Sequence, residues 1–330
     1  MKISVDAMGG DYAPGEIVKG ALVAASVFTD TGVILVGQKE KMQPFLSERG
    51  IPENISFVEA SQIIEMDEHP ASAVRMKKDA SIVVATRLVK EGKADAVVGA
   101  GSTGAQMASA LLGLGRIKGI KRPAIATVMP TLEGGKLMLD IGANPDADPE
   151  NLLQFAIMGS IFAENIMKIN NPKVALLNIG SEEGKGNEVV KAAYDLLKRS
   201  SLNFFGNIEG RDIPYGKVDV VVCDAFVGNI VLKTTEGLSS AIFKLIKGKI
   251  TSTPIRKLGA LAIKSGLKEI AKTMDYSEYG GAPLLGVNGT SIICHGTSKE
   301  KAIYNAIRVA RECVEAGIIE RIKVELEKNI

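Results

Sequence analysis

Short apolar runs, each emptying into a loop of Gly, Ser, Asn and Asp, recur along this chain of 330 residues. Ala96-Val97-Val98 leads into Gly99–Gly104, and Leu137-Met138-Leu139 leads into Asp140–Asn144. Val174–Leu177 runs into Asn178–Asn187, and Val220–Cys223 into Asp224–Asn229. Uninterrupted apolar runs mark strands buried on both faces, and open α/β sheets bind ligands beyond the carboxyl ends of such strands. The pattern predicts strands near residues 2–7, 32–37, 55–59, 94–98, 123–129, 136–141, 173–178, 202–206, 217–223 and 290–294. Helical periodicity falls at 15–27, 70–78, 80–92, 103–115, 149–168, 187–199 and 299–316. Pro70 after His69, and Pro149 after Asp148, occupy first-turn positions behind a cap. The alternation predicts an α/β fold with a mostly parallel sheet. Glu133-Gly134-Gly135 separates two strands by a hairpin turn, so the sheet is expected to be mixed. No repeat or linker divides the chain, which reads as one unit over 1–330.

Residues 236–273 depart from this alternation. They hold eight Lys or Arg against two acids, a net of +6, which leaves −4 for the remainder of a chain whose total is +2. Ile242, Leu245, Ile246 and Ile250 precede a break at Thr251-Ser252-Thr253-Pro254, and Ile255, Leu258, Leu261 and Leu267 follow at helical spacing. The segment predicts a basic hairpin of two amphipathic helices. It would pack on the core or on a second subunit, or rest its tip (Ile255, Lys257, Leu258, Leu261 and Lys264) on anionic lipid headgroups.

Composition narrows the classes. With no Trp, few aromatics and little net charge, nothing demands a nucleic-acid partner. Three cysteines without a CxxC fit a reducing, cytoplasmic setting. The first residues read as a strand rather than a signal peptide, and no apolar run of about 18 residues is available to span a bilayer. Two distant histidines and no acid cluster give no metal site, and no cofactor is called for.

The loops carry the candidate chemistry. Gly99–Gly104, with Gly101, Ser102 and Thr103 at its centre, matches G-x-G-x-x-G between a strand and a helix. The acid that a dinucleotide site needs about 20 residues on is missing. A phosphate loop at a helix N-terminus is preferred, with turn glycines as the alternative and a dinucleotide third. Asp6 closes an apolar strand and needs a partner there, while Asp11 reads as a helix cap. Lys185, in the polar loop opened by Asn178, is a candidate phosphate clamp or a solvated lysine. Asn229 and Lys233, four apart, face one pocket from the first turns of a helix. Gly280–Gly289, including Gly281, Gly286 and Asn288, reads as a stiff loop running toward His295 and Ser298. His295 is a proton donor or a structural histidine, and adjacent Cys294 points to the opposite face of its strand. His69 reads as a surface residue.

Six of these segments in order, Asp6–Asp11, Gly99–Gly104, Leu139–Asn144 with Asp140, Val174–Gly186, Cys223–Lys233 and Gly281–Asn288, closely resemble the bacterial phosphate acyltransferases of phospholipid synthesis. The resemblance runs from residue 1 to about residue 315. It implies attack of inorganic phosphate on the thioester of acyl-(acyl carrier protein), giving acyl phosphate and free carrier protein. It also implies a three-layer α/β/α fold shared with phosphate acetyltransferases and the isocitrate and isopropylmalate dehydrogenases, a homodimer, and peripheral attachment to an anionic membrane. Phosphate acetyltransferases carry a similar Gly-Asn and Lys pair, which points to Asn229 and Lys233. Ser102 stands where the resemblance expects Asn. In this reading Lys185 and the Gly99–Gly104 turn hold phosphate, Asn229 and Lys233 orient it, and His295 assists the oxyanion or leaving thiolate. The remaining polar loop residues, Asp6, Asp140, Asn144, Asn178, Asn288 and Ser298, are expected around the substrate. A short-chain phosphate acetyltransferase on a coenzyme A ester and a non-enzymatic membrane scaffold are the competing readings.

Overall fold

The computed structural model describes residues 1–46, 50–273 and 278–329. In chain order the elements are β1 (Lys2–Asp6), α1 (Gly15–Val27), β2 (Gly32–Gly37), α2 (Lys39–Leu46), β3 (Ile55–Glu59), α3 (Pro70–Met76), α4 (Ser81–Lys90), β4 (Ala96–Gly99) and α5 (Thr103–Gly113). There follow β5 (Ala124–Thr131), β6 (Gly134–Leu139), α6 (Pro149–Asn165), β7 (Val174–Asn178), α7 (Glu188–Arg199), β8 (Phe204–Glu209), a 3-10 turn at Gly210–Tyr215 and β9 (Val220–Val222). The last elements are α8 (Ala225–Ile250), α9 (Pro254–Ala262), α10 (Lys264–Thr273), β10 (Ala282–Leu285), β11 (Thr290–Ile293), α11 (Glu300–Glu315) and α12 (Ile318–Asn329).

All eleven strands join one sheet in the order β3-β2-β1-β4-β11-β10-β5-β6-β9-β7-β8. From β3 to β11 every neighbour is parallel. Three antiparallel pairings follow, β11 with β10, β10 with β5 and β5 with β6. From β6 to β8 the neighbours are parallel again. Three reversals leave the β6-β9-β7-β8 half running opposite to the β3-β2-β1-β4-β11 half. The expected mixed sheet is present, and its hairpin turns at Leu132-Glu133, with Gly134 and Gly135 already paired in β6.

Period-two alternation puts Val33 and Leu35 of β2 on one face and Ile34 and Val36 on the other. The first face carries a continuous core under α1, α11, α6 and α12, with Phe155, Leu35, Leu137 and Leu139 fully buried. The opposite face is interrupted. One cluster lies under α3, α4 and α5, and another gathers Ile125, Met129, Met138 and Ile293 beside α8. α8 packs on the second of these through Val231 and Leu232.

Several local expectations are corrected. Asp11 does not cap α1, whose N-cap is Pro14 with no side-chain hydrogen bond. The Gly280–Gly289 segment is not all loop, because Ala282–Leu285 form a strand. Pro283 is tolerated in that central position because β10 is short and splits its pairing. Ala282 and Pro283 face β11, while Leu284 and Leu285 face β5. At α6 the expected cap is a reciprocal one: Asn151 N donates to Asp148 Oδ1 at 2.8 Å and Asp148 N donates to Asn151 Oδ1 at 3.1 Å.

The arm over 236–273 is three helices rather than two. α8 continues unbroken from the sheet to Ile250, Thr253 caps α9 by accepting from Arg256 N at 3.3 Å, and a second break at Ile263 starts α10. No described residue from Asn229 to Thr273 is buried. The side chain of Lys272 lies outside the described residues.

Candidate active site

Three strand ends are tied together at one edge of the sheet. Asp11 N donates to Gly296 O at 2.8 Å, and Cys294 N to Gly99 O at 2.7 Å. These bonds hold the loops after β1, β4 and β11 against one another. Gly9 packs so closely on Gly101 that a Cβ on Gly9 would lie 2.8 Å from Gly101 N, so glycine is required there. Ser102 caps α5, its Oγ accepting from Ala105 N at 3.4 Å. The N–H groups of the first turn, at Thr103 and Gly104, have no acceptor within the helix and offer an anion site.

The other wall is α8, which starts at the far end of the central strands. Asp224 caps it by accepting from Val227 N at 2.9 Å. Its first turn presses on the β6 loop, where a Cβ on Gly228 would meet Asp140 O at 2.0 Å. The helix then runs back along β5 and brings Lys233 to His295, with Lys233 Nζ 3.1 Å from His295 Nε2. Lys233 Nζ also donates to Glu236 Oε2 at 2.8 Å. His295 Nδ1 lies 2.8 Å from Thr297 Oγ1. Thr297 N also donates toward Nδ1 at 3.2 Å, so both ring nitrogens are engaged.

Between these walls lies a cavity of about 820 Å³. Gly101, Thr103, Asn229, Lys233, Gly281 and His295 all line it, as expected from the sequence. Glu236, Thr297 and Asp11 line it as well. Glu236 is legible in retrospect from its i+3 spacing to Lys233, and Thr297 from its position two residues beyond His295. Phe243, Tyr279 and the β5 residues carried no sequence signal beyond strand or helix periodicity.

Other candidates are placed elsewhere. Asp6 and Ser102 line a small adjoining cavity behind the glycine loop, with Ser81 and Gln106. Burial pushes the Asp6 carboxyl above its ordinary value, opposed by hydrogen bonds from Ser81, Met8 and Gly9. Asp140 is wholly buried and accepts from Ile125 N, Gly142 N, Ala143 N, Asn144 N and Asn144 Nδ2 at 2.7–3.1 Å. Desolvation raises its carboxyl despite those bonds. Asn144 Nδ2 also donates to Pro123 O at 2.6 Å. Asp140 and Asn144 therefore fold the loop that presents Ile141 and Gly142, and do not line the cavity themselves.

Lys185 and Asn178 do not reach the cavity. β7 belongs to the reversed half of the sheet, so its loop leaves from the opposite end of the strands to β4 and β11. There Asn178 Nδ2 donates to Lys185 O at 3.0 Å and Lys185 is exposed. Asn288 ties a distant turn, its Nδ2 donating to Arg116 O at 2.7 Å. Gly286 lines a separate cleft beside Ile318 and Ile322. Ser298 is buried and closes the His295 turn through its N–H, 2.9 Å from His295 O. His69 is exposed, as expected.

Cys294 lines the cavity, but burial pushes its thiol up to about 12. It stays protonated at neutral pH and is a poor nucleophile. Cys223 is also raised well above its ordinary value, chiefly by burial and then by Asp224 and Asp140. The attacking group must therefore come from elsewhere. Among the described residues no cluster of His, Cys, Asp or Glu could hold a metal ion, and no helix is long and apolar enough to cross a membrane.

The chain matches the family model of fatty acid synthesis proteins over residues 1–321. A phosphate acyltransferase of Desulfitobacterium hafniense (strain DSM 10664 / DCB-2) is 70% identical over 329 residues, covering 99% of this chain and 98% of that one. One from Heliobacterium modesticaldum is 60% identical over 332 residues, covering 100% and 99%. Among solved structures, the EutD phosphotransacetylase from Staphylococcus aureus aligns with a TM-score of 0.63 over 95% of this chain and 94% of that one, at 17% identity. At that identity the likeness is one of fold.

Proposed function

The chain belongs to the fatty acid synthesis protein family and is an acyltransferase, and from that premise we propose that it makes long-chain acyl phosphate for phospholipid synthesis. The substrates are inorganic phosphate and the thioester of acyl carrier protein. The observation that carries the reading is the meeting of Lys233 and His295 in one cavity with the uncommitted first turn of α5.

Phosphate is a competent oxygen nucleophile once held and oriented, so positioning supplies most of the rate. Thr103 and the N–H groups around it, with Lys233, supply the anion site, and Asn229 orients the phosphate against the carbonyl. One phosphate oxygen bonds to the carbonyl carbon, and the resulting oxyanion takes hydrogen bonds from Lys233 and the side-chain amide of Asn229. The carbon–sulfur bond then breaks. A thiol of ordinary value, about 8.5, is a good leaving group, and the proton that phosphate gives up on becoming the acyl phosphate passes through the His295–Lys233 contact to the thiolate. Lys185 is not needed in this scheme.

The arm supports the remaining parts of the proposal. On α9, Ile255, Leu258 and Leu261 are 82%, 69% and 64% exposed, and Lys257 and Lys264 are exposed beside them. Apolar side chains flanked by cations suit an anionic bilayer surface touched from the side. Leu238, Ile242 and Leu245 form an exposed i, i+4, i+7 stripe on α8, which we assign to a second copy in a homodimer.

The deciding experiment is release of free thiol from a long-chain acyl carrier protein thioester with and without phosphate. Release that depends on phosphate upholds the proposal. Its absence, with active carrier protein verified, rejects it.

A further inference from the structure

The cavity extends well past the Lys233–His295 contact. From Lys233 to Phe243, α8 covers about 15 Å at the helical rise per residue. Over that stretch it lines the cavity with Thr235, Glu236, Ser239, Ser240 and Phe243. β5 faces them with Val128, Met129 and Pro130. The lining is thus small hydroxyls on α8 and apolar side chains on β5, with Phe243 the farthest of these along α8 and the Tyr279 ring beside β5. Space for Tyr279 is made by Gly135, which pairs with Pro130. A Cβ on Gly135 would lie 2.9 Å from the Tyr279 ring and 2.5 Å from Val128 Cγ1. The Tyr279 hydroxyl donates to Thr273 O at 3.5 Å, tying the ring to the end of α10.

A phosphate and a carbonyl need only the polar part of this cavity. We propose that the stretch beyond it is a channel for the substrate's alkyl chain, and that Phe243 sets the chain length it accepts. The inference rests on the acyl-transfer reading for the identity of the chain. Burial of each methylene against the apolar lining raises affinity about fourfold until the chain reaches Phe243. The same stretch leads to the root of the arm, so a chain lying in it points toward α9 and α10.

The test uses straight-chain alkyl phosphonates of graded length, titrated calorimetrically into the full chain. Affinity rises with length to a plateau. In Phe243→Ala the plateau moves to longer chains. In Ser239→Phe, which fills the middle of the channel, it moves to shorter ones, and the longest phosphonate loses at least tenfold in affinity. A plateau unmoved in both variants overturns the channel, provided both unfold cooperatively. Phosphate-dependent turnover of acyl thioesters is followed in parallel. If the unmodified protein turns nothing over while the phosphonate plateau still shifts in the variants, the acyl-transfer reading fails. The channel then stands as a site for an alkyl chain with an anionic head.

Discussion

Lys233 Nζ stands 3.1 Å from His295 Nε2, although the two residues are 62 positions apart and come from opposite walls of the cavity. Neither element alone carries the contact. α8 delivers the ammonium and the turn after β11 delivers the imidazole, whose Nδ1 is fixed by Thr297. Removing either side chain is expected to lower kcat by about 10²-fold or more. Because they act as a unit, Lys233→Met with His295→Ala should cost far less than the product of the two single effects. Asn229→Ala should also lower turnover. Near-normal kcat in both Asn229→Ala and His295→Ala would remove this assignment.

Gly228→Ala places a methyl group against a backbone carbonyl, Asp140 O, that has no room to move. A loss of about 3 kcal/mol in unfolding free energy is expected. Gly237→Ala, nine residues along the same helix and facing open space, should be neutral or stabilising by up to about 1 kcal/mol. Chemical denaturation of the two variants side by side checks both signs. Equal stabilities would mean that the α8–Asp140 contact is not tight.

Lys185→Ala is expected to keep kcat/KM within about threefold of the unsubstituted chain, since surface lysines away from a site rarely contribute more than about 0.5 kcal/mol. Steady-state kinetics at varied phosphate would show the contrary as a raised KM for phosphate. That result would require the Asn178–Asn187 loop to reach the cavity in the working enzyme.

Much of the fold is legible in the sequence because buried strands announce themselves as apolar runs. Each strand expected from that signal is present within a few residues, including the β5–β6 hairpin, whose turn falls just before the two glycines. β10 escapes because Pro283 and three nearby glycines read as loop, and α2 because Pro44 lies inside it. Strand direction is the deeper loss. A sequence shows that a polar loop follows a strand but not toward which end of the sheet that strand points. Lys185 and Lys233 therefore both qualify from the sequence as ligands of one anion site. Only Lys233 sits on a helix that runs back along β5 to the edge where His295 lies. Asp140 is misread for a different reason: a carboxylate that accepts five N–H groups has the same sequence signature as one left open for substrate.

The buried thiols give a pH dependence of stability. Burial, with a smaller push from Glu312, raises Cys313 to about 12 in the folded chain, against an ordinary value of about 8.5 when unfolded. The folded state therefore holds this proton longer, and stability present below the unfolded value is lost as pH rises toward 12. The slope from this one thiol reaches about 1.4 kcal/mol per pH unit. Unfolding free energies of the unsubstituted chain and Cys313→Ala should converge as pH is raised above about 9. Parallel curves would sink the argument.

Lys257→Glu and Lys264→Glu together reverse charge on the arm some distance from the cavity. Affinity for anionic vesicles, read by co-sedimentation, should fall by about thirtyfold or more, since each cation near such a surface contributes about 1 kcal/mol. Turnover of dispersed substrate should persist. Unchanged co-sedimentation would show that these lysines do not meet the lipid.

The order of strands also dictates when the enzyme can come into being. β4 and β5 follow one another in the chain, yet β11 and β10 are inserted between them, from residues made about 150 positions later. Without that closing hairpin, the two half-sheets would have exposed inner edges and no strand pairing between them. Such edges invite mispairing. The hairpin and the turn after it also bring Gly281, Ala282 and His295. Stitching the halves together and completing the cavity are therefore a single late event, and a nascent chain stopped short of Ile293 has neither a joined sheet nor a place for the reaction.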